Sequence, residues 1–391
     1  MSKLKNIVLA ALIITLSALM ACNGESNSKE LALSSDSSAV AVAADKYPLD
    51  RLNLPAGFAI SVFAEVENAR SMTMSPSGVV YVGNRRADKV YALKDTNGDG
   101  KADEQYIIDE DLNVPNGVAF QNGDLYVAEI SKVWKYKDIE SSLSDPPEPE
   151  LVYADYPTET HHGWKYIAFG PDGKLYIPVG APCNICKSDD PVFASITRIN
   201  PDGSGREIVA EGVRNTVGFA WKQETGELWF TDNGRDMMGD NYPPCELNRL
   251  AKSGQHFGYP YCHGGDIADP EFGGEKPCGD FIRPSWNFGA HTAPLGMKFV
   301  TGSMFPDDYS GDIIVAQHGS WNRSKKIGYR LMRVHIDDNR ATNAEVFIDG
   351  WLNDETQDAW GRPVDVLEMP DGSLLVSDDY ANLIYRVSYT G

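Results

Sequence analysis

A unit of two short apolar strands joined by a polar, glycine-containing turn recurs six times along the chain. It reads SMTMSPSGVVYVGN, GVAFQNGDLYVAE, YIAFGPDGKLYIPVG, GFAWKQETGELWFTDN, MKFVTGSMFPDDYSGDIIVAQ and VDVLEMPDGSLLVSDD. The turn glycines are Gly78, Gly123, Gly173, Gly226, Gly311 and Gly372, and all spacings but one lie between 45 and 61 residues. That is the period of a four-stranded propeller blade. The exception, 85 residues from Gly226 to Gly311, holds a Gly/Pro/Cys-rich insertion over about 235–291. Several units continue into a third alternating segment, KVYAL, KVWKY, ITRIN and LIYRVSY, as a half-buried strand requires.

After Gly372 only 19 residues remain, too few for a complete fourth strand and its connection. The alternating segment GFAISVFAE at 57–65 stands before the first unit with no blade of its own. Pairing it into the last sheet closes the ring and removes a free edge. The pattern therefore predicts an all-β fold over residues 47–391, a six-bladed β-propeller closed by an N-terminal strand. Two successive β-sandwiches are the other arrangement that a meander of such strands permits.

The first 21 residues have a basic start, an apolar stretch and a small residue before Cys22, the layout of a secretory signal peptide. The ending LMAC resembles a bacterial lipoprotein signal. It implies a lipid on Cys22 and a membrane-anchored protein of the cell envelope, on the periplasmic or extracellular side. An uncleaved anchor is the alternative, for which the apolar stretch is short. Residues 22–46 are rich in Ser and Ala with little to bury, and read as a flexible tether. The formal charge of -21 argues against nucleic acid as a partner. Cys183, Cys186, Cys245, Cys262 and Cys278 are an odd number for an oxidising compartment. The CNIC pair is followed by Lys187 where covalent haem attachment needs histidine, and no second CxxC is present for zinc. A local Cys183–Cys186 disulfide is expected, with Cys262 paired to Cys278 and Cys245 free.

In a propeller the first strand of each blade lines the central channel, and the loops entering it gather on one face. The residues ahead of the six units are Arg70, Asn116, His161 with His162, Arg214 with Asn215, His291 with Thr292, and Arg362. Loops leaving the second strands add Asn84, Arg85, Asn233, Gly234, Arg235, His318 and Arg323. An acidic chain thus collects basic residues at one end of its axis. Solvating a wet channel accounts for any one of them, but the set predicts a pocket for an anionic small molecule.

The segments HHGWKYIAFGPDGKLYIPVGAPCNIC, VRNTVGFAW, PPCELNRL, HFGYPYCHGG, QHGSWNRS and GRPVDVLEMPDGSLLVSDD together resemble the pyrroloquinoline quinone (PQQ) dependent sugar dehydrogenases, the glucose/sorbosone and pyranose dehydrogenase group. The likeness covers about residues 47–391. It implies a quinoprotein oxidoreductase whose propeller holds PQQ and a calcium ion over its axis and oxidises a sugar by hydride transfer to the quinone. In that family a histidine eight residues before the glycine of GPDG is the general base, and His162 stands eight before Gly170. Oxidising a sugar C1 hydroxyl needs its proton removed as hydride leaves, and a neutral imidazole titrates in the right range. His161 is expected as a neighbour in the pocket. The resemblance assigns Arg362 and Asn215 to the tricarboxylate cofactor; Arg70, His318 and Arg323 join them from their convergence on the axis. It also places the calcium ion partly on backbone carbonyls near Gly234 and Arg235, where the ion polarises the quinone. An electron acceptor is required as well, and no motif identifies it.

Two positions depart from the family. Its soluble glucose enzymes carry an Asp directly after the glycine of the strand following GPDG, where it orients the histidine; Ala181 occupies that place here. Cys245 stands in PPCELN where related sequences often have Asp. The first departure weakens the case for glucose and leaves His161, or an acid of the insertion, to support His162.

Outside the axis, DTNGDGKADE sets Asp95, Asn97, Asp99 and Asp103 at positions 1, 3, 5 and 9 of a calcium loop with Gly100 at the turn, but position 12 is Tyr106. A structural calcium and a plain Asp/Gly-rich turn both fit. Two other functions suit the same propeller. One is a calcium-dependent lactonase-type hydrolase using Asn116, Asn215 and Asp365 around one metal, which gives no reason to gather arginines. The other is a non-enzymatic binding face anchored by Trp164, Trp321 and Trp360.

Overall fold

The second strand of each repeat is the most deeply buried part of the chain. Val80–Asn84, Leu175–Val179, Leu228–Asp232, Ile313–Gln317 and Leu374–Asp378 are buried at every residue. A strand covered on both faces needs a near-continuous apolar run, and these segments supply it. Each lies inside its own sheet and faces the sheets on either side, so six small sheets stand around one axis as the blades of a propeller. The computed structural model describes residues 46–391; the expected signal peptide, Cys22 and the expected tether up to residue 45 lie outside the described residues.

Blade one is Ala69–Met74, Val80–Asn84, Val90–Lys94 and Glu104–Asp109, in sequence order from the axis outward. Blades two, three, four and five begin at the axis with Gly117–Gln121, Ala168–Phe169, Phe219–Trp221 and Pro294–Phe299. Blade six runs Pro363–Glu368, Leu374–Asp378 and Leu383–Tyr389, and its outer strand is Phe58–Glu65 from the start of the fold. That strand pairs antiparallel from Phe58 opposite Tyr389 to Glu65 opposite Leu383. Phe58 is held among the rings of Phe305, Tyr309, Phe347 and Tyr389, at centroid distances of 4.8–5.2 Å. The expected closure is therefore present, with an aromatic lock as well as a ladder.

The long gap before Gly311 is only partly an insertion. Glu246–Leu250 and Trp286–Asn287 complete blade four, and Gln255–His256 adds a parallel fifth strand to the edge of blade three. The remainder carries a small hairpin, Cys262–His263 with Ile267–Ala268, beside the Cys262–Cys278 disulfide. Cys183 pairs with Cys186, and Cys245 is free and buried.

Polar side chains stitch the inner strands together where they line the axis. Thr231 Oγ1 donates to the Leu295 carbonyl (2.6 Å), Ser377 Oγ to the Arg70 carbonyl (2.7 Å), and Asp365 accepts from the amides of Met72 (2.8 Å) and Val366 (2.9 Å). Asn116 receives Arg70 Nε (2.9 Å) and donates to Ser71 Oγ and the Lys165 carbonyl. Asn116 and Asp365 thus belong to the framework.

The DTNGDGKADE segment is the turn between the third and fourth strands of blade one. Its acids face inward on the turn itself. Asp95 accepts from the amides of Gly98 (2.7 Å) and Gly100 (2.9 Å), while Asp103 accepts from Thr96 and Asn97. Asn97 and Asp99 each take an amide two residues on. Among the described residues no group of three or more His, Cys, Asp or Glu is placed to hold a metal.

Candidate active site

The inner strands run between two openings. One, of about 520 Å³, is lined by Phe169, Trp221, Phe299 and other residues that include no histidine or arginine. The other, of about 330 Å³, is where the loops entering the blades converge. Arg70, Arg85, Arg86, Arg214 and Arg362 all line this second cavity. The smaller space is therefore the chemical one.

His162 reaches it from an unusual backbone position. Its φ is +51°, a left-handed conformation that costs a non-glycine residue about 1–3 kcal/mol and marks sites where the surroundings impose it. Here they do. Gly180 lies so close that a Cβ on it would stand 2.5 Å from the His162 Cβ, so only glycine admits the histidine. Lys165 is buried behind the turn, and its Nζ donates to the Gly163 carbonyl at 2.6 Å. Burial lowers that ammonium's pKa to about 7 against the opposing pull of Glu159.

The His162 Nδ1 stands 2.9 Å from the carbonyl oxygen of Ala181. A carbonyl only accepts, so Nδ1 carries the hydrogen and Nε2 is left as the acceptor. The support for the histidine is thus neither His161 nor an acid of the insertion, but the backbone of the residue that stands where the family has Asp. Burial, then the charge of Arg214, lowers the His162 pKa to about 2. It is a neutral hydrogen-bond acceptor throughout the physiological range.

Asp379, the last residue of GRPVDVLEMPDGSLLVSDD but not singled out by it, organises the opposite wall. It accepts from Arg70 (2.8 Å) and from His318 Nε2 (2.7 Å). Burial alone would raise its carboxyl, but His318 and Arg70 hold it far below the usual carboxylate range. Burial pushes His318 down to about 4, so the imidazole is a neutral donor to Asp379 at neutral pH. Arg362 is fixed through Nε to the His318 carbonyl (2.9 Å) and through an Nη to that of Gly319 (2.8 Å). The Arg85 guanidinium carbon lies over Trp164, 3.8 Å from the ring centroid, and burial followed by the nearby Arg70 lowers the pKa to about 10.

On the third side Arg214 Nε donates to the Asn184 carbonyl (2.9 Å) and its Nη atoms to Asn184 Oδ1 (2.9 Å) and the Asn233 carbonyl (3.1 Å). Asn215 and Gly234 also line the cavity. The amides of Arg214 and Asn215 are held by the buried Asp232 (2.8 and 2.6 Å). The Trp164 indole N–H, on the same cavity, is buried without a hydrogen-bond partner among the described residues.

Of the residues predicted for the site, His162, Arg70, Asn215, His318, Arg362 and Gly234 meet around this cavity. His161 stands at the rim, exposed, its ring 4.1 Å from that of His162. Arg323 ties its loop to the carbonyl of Asp240 and to Asn241 rather than lining the cavity. The Arg235 side chain turns into the insertion, to Asp269 (2.5 Å) and Glu271 (3.3 Å). Lys165 and Asn184, inside the segment HHGWKYIAFGPDGKLYIPVGAPCNIC, and Asp236, just past the fourth repeat, are further members that no spacing singled out. Of the three tryptophans suited to a binding face, only Trp321 is exposed, at 72%.

Residues 45–388 match the family described as "Domain of unknown function (DUF7133)". A protein of Borreliella burgdorferi, described as uncharacterized, is 32% identical over 367 residues, 90% of this chain and 94% of that one. Among solved structures, the holo PQQ domain of a pyranose dehydrogenase from Coprinopsis cinerea is 18% identical with a TM-score of 0.75, over 86% of this chain and 97% of that one. A calcium structure of a Trichoderma reesei enzyme of carbohydrate-active family AA12 is 20% identical with a TM-score of 0.76, over 86% and 96%. The PQQ-bound aldose sugar dehydrogenase of Streptomyces coelicolor is 20% identical with a TM-score of 0.60, over 86% and 100%. At these identities the likeness is one of fold.

Proposed function

The chain belongs to the DUF7133 family, whose description assigns no activity, and we propose that it is an oxidoreductase that oxidises a sugar with PQQ and calcium as cofactors. The observation that carries this reading is the cavity itself: five guanidiniums and one neutral acceptor histidine around about 330 Å³, in a chain of net charge -21. That is enough space for a small planar molecule, and arginine is the side chain suited to pair with several carboxylates at once.

The residues present fit such a cofactor. Arg70, Arg85, Arg214 and Arg362 are all held in place before anything binds. The Asn215 side chain and the orphaned Trp164 N–H offer further polar contacts, and a buried donor left unpaired costs about 1–3 kcal/mol. The carbonyls of Gly234 and Arg235 would hold the cation, which needs oxygen ligands. When bound, the calcium-polarised quinone supplies the hydride acceptor.

The chain's own part is proton transfer and orientation. His162 takes the C1 hydroxyl proton at Nε2, and Ala181 keeps the tautomer in which that nitrogen is free. Burial first, and then the charges of Arg214 and Arg85, hold His162 down; carboxylates bound at those arginines would offset the charge part and raise its proton affinity. Trp321, exposed at the cavity mouth, offers a flat face to a sugar ring. The lactonase alternative loses two of its three ligands, because Asn116 and Asp365 are engaged in the framework.

The test is to add PQQ and calcium to the purified apoprotein. A bound-quinone absorbance with aldose-dependent reduction of a dye supports the reading. Lactone opening with calcium and no bound quinone would replace it. The proposed lipid on Cys22 sets this oxidation at the cell envelope, and Cys22→Ala should then leave the membrane fraction.

A further inference from the structure

Arg214 lines the same cavity as His162 and is only 4% exposed. Two of its three side-chain hydrogen bonds end on Asn184. The same Asn184 amide also faces the peptide of Asp236 in both directions: Oδ1 accepts from the Asp236 N–H (2.8 Å) and Nδ2 donates to the Asp236 carbonyl (3.0 Å). One side chain thus joins the cavity arginine to the segment after Asn233, which carries the carbonyls proposed for the cation. Only an amide has the donor and the acceptors for this junction.

Asn184 itself lies in a four-residue loop closed by the Cys183–Cys186 disulfide. The Cys186 amide donates to the Tyr259 hydroxyl (3.0 Å), and Cys183 Sγ lies 3.5 Å from the same oxygen. The loop is therefore pinned at both ends.

We infer that Asn184 is a positioning residue, held by the Cys183–Cys186 disulfide, that sets Arg214 and the Asn233–Asp236 segment for the anionic cofactor. This rests on the function proposed above. It makes the site sensitive to thiols. A dithiol reduces the bridge by exchange: its two thiols become its own disulfide, the Cys183–Cys186 bond breaks, and each cysteine sulfur receives one electron and one proton. The freed loop then no longer holds Asn184 against Arg214.

Apoprotein with saturating calcium is titrated with PQQ. Asn184→Ala should weaken binding about 10- to 100-fold, the scale of one misplaced charge-assisted contact, and wild type treated with dithiothreitol should shift in the same direction. Asn184→Asp keeps the acceptor for Arg214 but loses the donor to the Asp236 carbonyl, so its affinity should lie between those of wild type and Asn184→Ala. On an Arg214→Ala background the Asn184→Ala change should lose most of its effect, leaving only the part carried by the Asn233–Asp236 segment. Lys187→Ala, beside the disulfide but turned to Glu275, should change nothing. Additive losses from Asn184→Ala and Arg214→Ala, or full affinity in Asn184→Ala, would overturn the inference. If wild type binds no PQQ, the functional reading fails, and the positioning role is read separately from the Arg214 Nε–H resonance. That signal should be protected in wild type and lost in Asn184→Ala and after reduction; a signal protected in all three sinks the proposal.

Discussion

His162 Nδ1 donates to the carbonyl oxygen of Ala181 at 2.9 Å, so a main-chain atom performs the orientation that a carboxylate would otherwise supply. The difference is electrical. A carbonyl fixes the tautomer without adding a negative charge, and His162 remains under the influence of burial and Arg214. Its basicity then depends on what else enters the cavity.

His162→Ala should lower turnover roughly 10²- to 10⁴-fold, the usual contribution of a general base, while PQQ still binds. Steady-state kinetics with a parallel cofactor titration separates the two effects. Sugar oxidation at the normal rate would remove His162 from its role.

Gly180→Ala tests the same group without touching it. The added methyl meets the His162 Cβ at 2.5 Å, so the imidazole has to move away from Ala181. Turnover should fall toward that of His162→Ala with cofactor affinity largely kept. A fully active Gly180→Ala would show that the position of the ring is not critical.

Asp379→Ala leaves Arg70 buried at 1% exposure without its counter-ion. Breaking such a pair costs about 3–5 kcal/mol, to be read in urea denaturation, and PQQ binding should weaken with it. Arg362→Ala, which removes a cavity charge without stranding another, should weaken PQQ binding first, with activity partly recovered by excess cofactor.

The pH dependence of stability reports on Lys165. Burial lowers its pKa to about 7 in the fold, against an ordinary lysine value of 10.5. Between these values the unfolded chain binds the extra proton, so stability rises with pH. The slope is at most about 1.4 kcal/mol per pH unit. Lys165→Met should flatten it over that range. An unchanged slope would mean the lysine is charged in the fold.

Starting the chain at residue 66 removes Phe58–Glu65, the outer strand of blade six, and uncovers the edge of Leu383–Tyr389. The product should be unfolded or aggregated. A folded, monomeric product by circular dichroism and gel filtration would show that the ring does not need this strand.

Local chemistry is what the sequence by itself determined. Turn glycines at blade spacing, buried apolar second strands and a leftover N-terminal strand specify six blades and their closure, because alternation and turn conformation depend on neighbours along the chain. The end of the axis was legible for the same reason: residues ahead of each inner strand must converge once the ring closes. The tertiary structure decided the rest. Gln255–His256 and Trp286–Asn287 are two-residue strands, too short for any period to reveal. Arg235 and Arg323 stood in the right loops, but their side chains follow the acids and carbonyls of the 235–291 segment. Asp379 became the partner of Arg70 only when blade six came to lie beside blade one. The Ala181 carbonyl is invisible in a sequence, since every residue has one; only the fold decides which of them faces a histidine.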